Sequence, residues 1–382
     1  MLTAQWFKCG GRRCSPLNAA LVFINQRDKM KYLLDLEKLE HADIVLESGN
    51  TKWVSDLIKA ATNSRYSHAM LYVGHSLNHA TSDGGVFSKN PQRILVDDVK
   101  DLKVLRLKDA ISDDVKLAIC KESSYLVGTL YGKREATKSI TKTEKASKSK
   151  KQFCSRLVAQ CYAKSGINLV SNPDYCTPED LNRSELLVEV ADCVRLATED
   201  DLEIYNRKDP NIENLQETYK WLNNARDLYK KEGVEIQTIN DVTEALMQDR
   251  KFDNRLCKLA KATKYFDLYN VDRQVNTMRY CPDGFYAVLS NSNDMNKIVR
   301  EEIALNDREV KRHTENLIAA RHNFKQARLK FSKLHIKLYE NLLSETLYRF
   351  IVIEQALTRY GCNTHHVQQK ITSLESLLKN KN

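Results

Sequence analysis

Three residues of this chain have the types and the setting for nucleophilic acyl chemistry: Cys154, His68 and His79. A thiol attacks a carbonyl only as thiolate, so it needs an electropositive, partly exposed position. Cys154 stands where the run Phe153–Ser165 turns helical, with Leu157, Val158 and Cys161 on one side and Gly166 at its end. The unpaired N–H groups and positive dipole end of a helix start favour an anion, and could later hold the oxyanion of a tetrahedral intermediate. His68 opens the strand-like run Ser67–Val73, where a base at a sheet edge belongs. His79 follows eleven residues later, across a hairpin, and could orient the His68 ring. Together they make the nucleophile, base and orienter of a triad. Each also has a plainer reading, the cysteine as a small buried hydrophobe and the histidines as satisfied strand residues.

The elements that must position them can be read from spacing. Ala42–Leu46 reads as a short strand ended by Ser48-Gly49-Asn50, after a polar amphipathic helix over 25–41. Trp53, Val54, Leu57, Ile58 and Ala61 fall at helical spacing, closing near Asn63. Gly74 to Asn78 reads as a hairpin turn containing His75, and His79-Ala80 begin the partner strand toward Gly84-Gly85-Val86. Lys103–Leu107 is a further strand and Asp113–Val127 a helix. Thr177 and Pro178 have the chemistry of an N-cap and first helical residue.

After about residue 205 helical patterns dominate, over Ile212–Lys231, Asn240–Tyr269 and a final stretch with no Gly or Pro between Gly284 and Gly361. There Ile303, Val310, Leu317, Phe324, Phe331 and Leu338 recur every seven residues, with His313, Ala320, Ala327 and Leu334 three further on. That stripe predicts a long packed helix, as one member of an intramolecular bundle or as a coiled-coil arm for homo-oligomers.

The bulk numbers bound the class. Of 382 residues, 42% are hydrophobic and 29% charged, the balance of a soluble globular chain. No apolar run reaches the ~18–20 residues that cross a bilayer, and charges at Arg27, Asp28 and Lys29 interrupt the N-terminal patch before it resembles a signal. A cytoplasmic location is the expectation. Ten scattered cysteines suit a reducing compartment, and Cys9 and Cys14 lack the partners for a zinc site. No metal cluster or phosphate-cradling loop is evident, so neither metal nor cofactor is expected. Of the net charge of +10, +6 lies between Lys133 and Lys151, where eight Lys/Arg face two Glu. A local basic loop disfavours a nucleic-acid surface; a solvated loop, or attraction of an acidic substrate or membrane surface, remains open.

The segments Asp43-Ile44-Val45-Leu46, Ser67-His68 with Tyr72 and Gly74, His79-Ala80 with Gly85-Val86, and Cys154-Ser155 with Leu157-Val158 resemble the permuted branch of the NlpC/P60 superfamily. These are the YiiX/YebB-like cysteine hydrolases, related to the lecithin:retinol acyltransferases. Gly128-Thr129-Leu130-Tyr131 and Thr177-Pro178-Glu179-Asp180-Leu181 resemble two further motifs of that branch. Two positions depart from it: Ala42 replaces a usual glycine, and His79 stands where the YiiX-like members mostly carry Glu.

The resemblance implies an α+β fold, a circularly permuted papain-like domain with a small antiparallel sheet over 36–205. A 1–35 extension precedes it and an all-helical domain, 206–382, follows. It further implies a cysteine hydrolase acting on a peptide, lipid or other amide or ester through Cys154, His68 and His79. Tyr131 and Ser155 would lie in the oxyanion and substrate vicinity. An acyltransferase of the same fold, or a helical scaffold carrying a non-catalytic papain-like module, are the rival readings.

Overall fold

The computed structural model describes residues 30–48, 65–140 and 149–380. They fall into two compact units, one drawn from Met1–Gly84, Ser88–Ser124 and Tyr131–Arg207, the other from Gly85–Phe87, Tyr125–Leu130 and Lys208–Asn382. The helix expected over 53–63 lies outside the described residues, as do Cys9 and Cys14.

The first unit is built on an antiparallel sheet. Its interior strand β2 (Ile44–Glu47) reads Ile-Val-Leu without polar alternation, and all three side chains are fully buried. On one side β2 pairs with β3 (His68–Tyr72), setting Ile44 against Leu71 and Glu47 against His68. On the other it pairs with β6 (Leu102–Leu107). β4 (Leu77–Thr81) returns from β3 with Tyr72 opposite Leu77. The turn between them needs Gly74 at φ 91°, where an added Cβ would collide with the His41 ring. His75 sits in that turn, as expected. With β5 (Gly85–Lys89) and β7 (Leu187–Glu189) the order is β5-β4-β3-β2-β6-β7. The core beneath comprises Leu34, Val45, Met70, Tyr72, Leu77, Ile94, Val96, Leu102, Val104 and Cys193.

Helix α1 (Asp113–Tyr125) and helix α2 (Lys133–Ile140) precede α3 (Cys154–Lys164), and α4 (Pro178–Asn182) and α5 (Glu199–Asn206) follow it. α3 packs against β3 and β4 and buries Leu157, Val158, Cys161 and Tyr162. Burial of each large apolar side chain stabilises by about 1.5–3 kcal/mol. The Tyr162 hydroxyl donates to the Ala42 carbonyl, tying α3 to the entrance of β2. Ala42 itself is left-handed, at φ 71°, so the glycine it replaces has a backbone reason. Asp43, 1% exposed, accepts two bonds from Arg106, Nε and Nη2, each at 2.7 Å, which pins β2 to β6. Burial pushes the Asp43 carboxyl up from its ordinary value, and Arg106 offsets part of that.

Two expectations for this unit are corrected. The described part of 25–41 is no amphipathic helix: β1 (Tyr32–Leu34) and a single turn, Leu36–Lys38, replace it. The pairing partner decides this, since β1 lies antiparallel to β8 (Val194–Leu196), far along the chain, and fully buries Leu33 and Leu34. The basic stretch, read as a loop, opens as helix α2 with Ala136 and Ser139 buried.

In the second unit, Val86 N–H donates to the Thr129 carbonyl and Gly128 N–H to the Val86 carbonyl, both at 2.8 Å. Gly85 has φ 60° there, and a Cβ would collide with the Thr129 carbonyl oxygen. Arg226 donates to the Gly128 carbonyl, and the Gln237 side chain accepts from Leu130 N–H at 3.0 Å.

The expected helix 240–269 is broken into α7 (Ile239–Gln248) and α8 (Asp253–Lys261), after α6 (Pro210–Lys230). The heptad stripe does not make one long helix. It divides into α9 (Met295–Ala327) and α10 (Lys330–Arg359), which pack on each other within the chain. Arg328 turns left-handed at φ 51°, and the Asp253 carboxylate accepts from Lys330 N–H at 2.8 Å and Phe331 N–H at 2.9 Å. That cap comes from α8, so no local signal announced the break. Trp221, Leu246, Leu256 and Phe331 are fully buried in the adjoining core.

Candidate active site

Cys154 is the first residue of α3, and Phe153 before it is extended (φ −132°, ψ 169°) without giving the helix a side-chain cap. Of the first-turn N–H groups, that of Ser155 is directed at the sulfur. His68 is the first residue of β3, beside the return strand that carries His79. The structure brings the three together. His68 is hydrogen-bonded to the Cys154 sulfur, and His68 Nε2 lies 2.8 Å from His79 Nδ1. The two rings meet edge-on, with centroids 5.1 Å apart. With Nε2 engaged by His79, Nδ1 is the nitrogen of His68 left to the sulfur.

The electrostatics separate Cys154 from the other thiols. Burial pushes its thiol up, but the His68 hydrogen bond and charge outweigh this, helped by the N–H groups of Ala69 and Ser155. The net displacement is downward from the ordinary value. Burial drives Cys120 up to about 11, and Cys161, Cys176, Cys193 and Cys257 also rise. Among the described residues, then, Cys154 alone is held down against its own burial.

His79 is held well below the ordinary imidazole value, first by burial, then by the like charges of His68 and Lys89. It is therefore neutral at physiological pH, and its Nδ1 can accept from the Nε2–H of His68. The Tyr131 phenol is pushed up by burial and by the Cys154 charge, so it stays protonated beside the sulfur.

Ser155 adjoins Cys154, and its two polar groups serve different partners. Its hydroxyl, 1% exposed, donates to the Cys176 carbonyl at 2.7 Å, and only its N–H serves the sulfur. The residue after Cys176 is fixed by a turn of its own. Thr177 N–H donates to Asp180 Oδ2 at 2.8 Å while Asp180 N–H donates to Thr177 Oγ1 at 3.1 Å, with Pro178 opening the helix. The threonine–proline turn thus anchors the floor of the site.

A polar chain along α3 went unassigned in the sequence. Gln152 Nε2 donates to Gln160 Oε1 at 2.8 Å, and Gln160 Nε2 donates to Asp174 Oδ1 at 2.6 Å. Arg156, 2% exposed, reaches Asp174 at 3.4 Å and donates to the Ser149 carbonyl at 2.7 Å. These bonds fix the segment just before Cys154. Tyr131 bridges Gln152 in parallel, and Gly132 N–H donates to the Gln152 carbonyl at 2.8 Å. The available signal was Arg156 and Gln160, one helical turn apart and flanking the apolar run Leu157–Ala159.

Among the described residues no group of three or more His, Cys, Asp or Glu side chains is placed to hold a metal ion.

Residues 18–177 match the family described as permuted papain-like amidase enzyme, YaeF/YiiX, C92 family. Three chains of solved structures match. One is the crystal structure of metalloprotein yiiX from Escherichia coli O157:H7, 17% identical with a TM-score of 0.33, spanning 40% of this chain and 97% of that one. No curated protein matches the chain.

Proposed function

We propose that this chain, whose residues 18–177 match the permuted papain-like amidase family, cleaves an amide bond through an acyl-enzyme on Cys154. The observation that carries this reading is a thiol held down against its own burial by His68, whose far nitrogen is bonded to His79 at 2.8 Å. A purely scaffolding module has no use for that arrangement.

In this mechanism His68 takes the proton of Cys154, and the thiolate attacks the amide carbon as the carbonyl π pair moves to oxygen. The oxyanion is received by N–H groups at the start of α3, that of Cys154 included, and by the protonated phenol of Tyr131. His68 returns the proton to the leaving amine as the C–N bond breaks, leaving a thioester. Water, deprotonated by His68, then releases the acid and restores the thiol. His79 accepts from His68 Nε2–H and keeps Nδ1 aimed at the sulfur. Being neutral, it fixes geometry without supplying a full countercharge. Transfer to another acceptor would differ only in what replaces water; the amidase description of the family favours hydrolysis.

Incubation with cell lysate followed by mass spectrometry of the Cys154 peptide tests this reading. An acyl adduct in the wild type, absent from Cys154→Ala, is expected. An adduct that persists in the variant on another residue would overturn the assignment.

A further inference from the structure

The roots of the basic stretch are fixed beside the nucleophile. Lys133, Arg134, Lys138, Lys150 and Lys151 are described and exposed, and the carboxylate among the described residues of this stretch is Glu135. The two arms run together. Tyr131 bridges Gln152, Gly132 N–H donates to the Gln152 carbonyl at 2.8 Å, and a Cβ on Gly132 would lie 3.3 Å from Lys151 Cβ. Lys133 therefore leaves two residues after the tyrosine whose phenol feels the Cys154 charge. Lys151 returns three residues before Cys154 itself. At most ~11 Å separates the Lys151 and Cys154 Cα atoms. That is about one Debye length at 0.1 M salt, so the charge of Lys151 reaches an anion brought to the sulfur and is screened as salt rises. α2 keeps the orientation fixed, burying Ala136 and Ser139 while Lys133, Arg134 and Lys138 face solvent.

We propose that this cluster selects amide substrates carrying a carboxylate close to the scissile bond. The inference rests on the reading of Cys154 as nucleophile and adds the substrate class. Four of the five cations are lysines, point charges without a fixed fork, so the cluster favours negative charge in general over one shape of anion. An acidic peptide is the chemistry that fits.

Two alkylating agents test it without knowledge of the substrate. Iodoacetate and iodoacetamide both lose iodide to the Cys154 thiolate as the C–S bond forms, but only the first is an anion. Any change in the thiol's own pKa affects both rates alike and cancels in their ratio. The ratio is measured by mass spectrometry of the Cys154 peptide, in the full chain and in a variant combining Lys133→Gln, Arg134→Gln, Lys150→Gln and Lys151→Gln. At ~10 mM salt the wild-type ratio should exceed the variant's by about two- to fivefold, and the difference should vanish near ~300 mM. Glu135→Gln should shift the ratio the other way, upward. Equal ratios in wild type and variant at low salt, with Cys154 still the first thiol to react, would overturn the substrate inference and leave the nucleophile standing. Failure of Cys154 to react first with iodoacetamide would sink the hydrolase reading and this inference with it. Tight, lysine-dependent binding of phosphatidylserine vesicles or single-stranded DNA at ~150 mM salt would reassign the cluster to a polyanion and also overturn the inference.

Discussion

His68 Nε2 stands 2.8 Å from His79 Nδ1, leaving the other ring nitrogen of His68 to the sulfur of Cys154. In the proposed mechanism His79 orients His68 as a neutral imidazole, held well below its ordinary value by burial first. Its contribution is therefore positional. His79→Ala should slow iodoacetamide inactivation at pH 6–7 by roughly 10²-fold, because the His68 ring loses its tautomer and aim. His79→Asn, which keeps an acceptor, should retain most of the rate. An alanine variant as reactive as wild type would remove His79 from the site.

Ala42 offers a test on stability. Its φ of 71° suits glycine, and any residue with a Cβ is strained there. Ala42→Gly should stabilise the protein by ~1 kcal/mol, measured as a rise in the urea midpoint at unchanged slope. A lower midpoint would contradict the backbone argument.

The break between α9 and α10 is held by Asp253, which caps Lys330 and Phe331. Asp253→Ala should cost about 1–2 kcal/mol, and Asp253→Asn distinctly less. Calorimetry of the three proteins reads this directly. Equal melting temperatures would mean the left-handed turn at Arg328 suffices by itself.

Acid stability follows from a third histidine. His335 in α10 is buried among aromatic rings, its centroid 4.5 Å from that of Phe331, and burial holds its pKa at about 4 against an ordinary 6.5. Folded His335 stays neutral while the unfolded chain takes up a proton below about pH 6.5. Stability is therefore full above that pH and falls as pH drops toward about 4, by up to ~3 kcal/mol from this residue. His79, shifted the same way, steepens the loss. Denaturant titrations at pH 7, 6, 5 and 4 should show this slope, and His335→Leu should flatten it. An unchanged slope in the variant would contradict the assignment.

Much of the site was legible because its signals are local. A cysteine opening an apolar helix, a histidine opening a strand and Gly74 between two strands each depend on a few neighbouring residues. What stayed hidden depends on distant partners. β1 needs β8 for its pairing, so its residues read as a polar helix when taken alone. The heptad stripe survives intact across Arg328, and only the carboxylate of Asp253, 77 residues away, marks the restart at Lys330. The Gln152, Gln160, Asp174 and Arg156 chain is likewise a product of tertiary placement. Ala42 was visible as a departure, but its cost became visible only with its φ angle.

The held-down thiol of Cys154 is the claim on which the mechanism turns, and its pH profile tests it most directly. The second-order rate of Cys154 alkylation by iodoacetamide should rise through a pKa below the ordinary thiol value of ~8.5. In His68→Ala, with the largest lowering influence gone and burial left to act, the rise should move above that value. A wild-type profile at or above the ordinary value, unchanged by His68→Ala, would contradict the account.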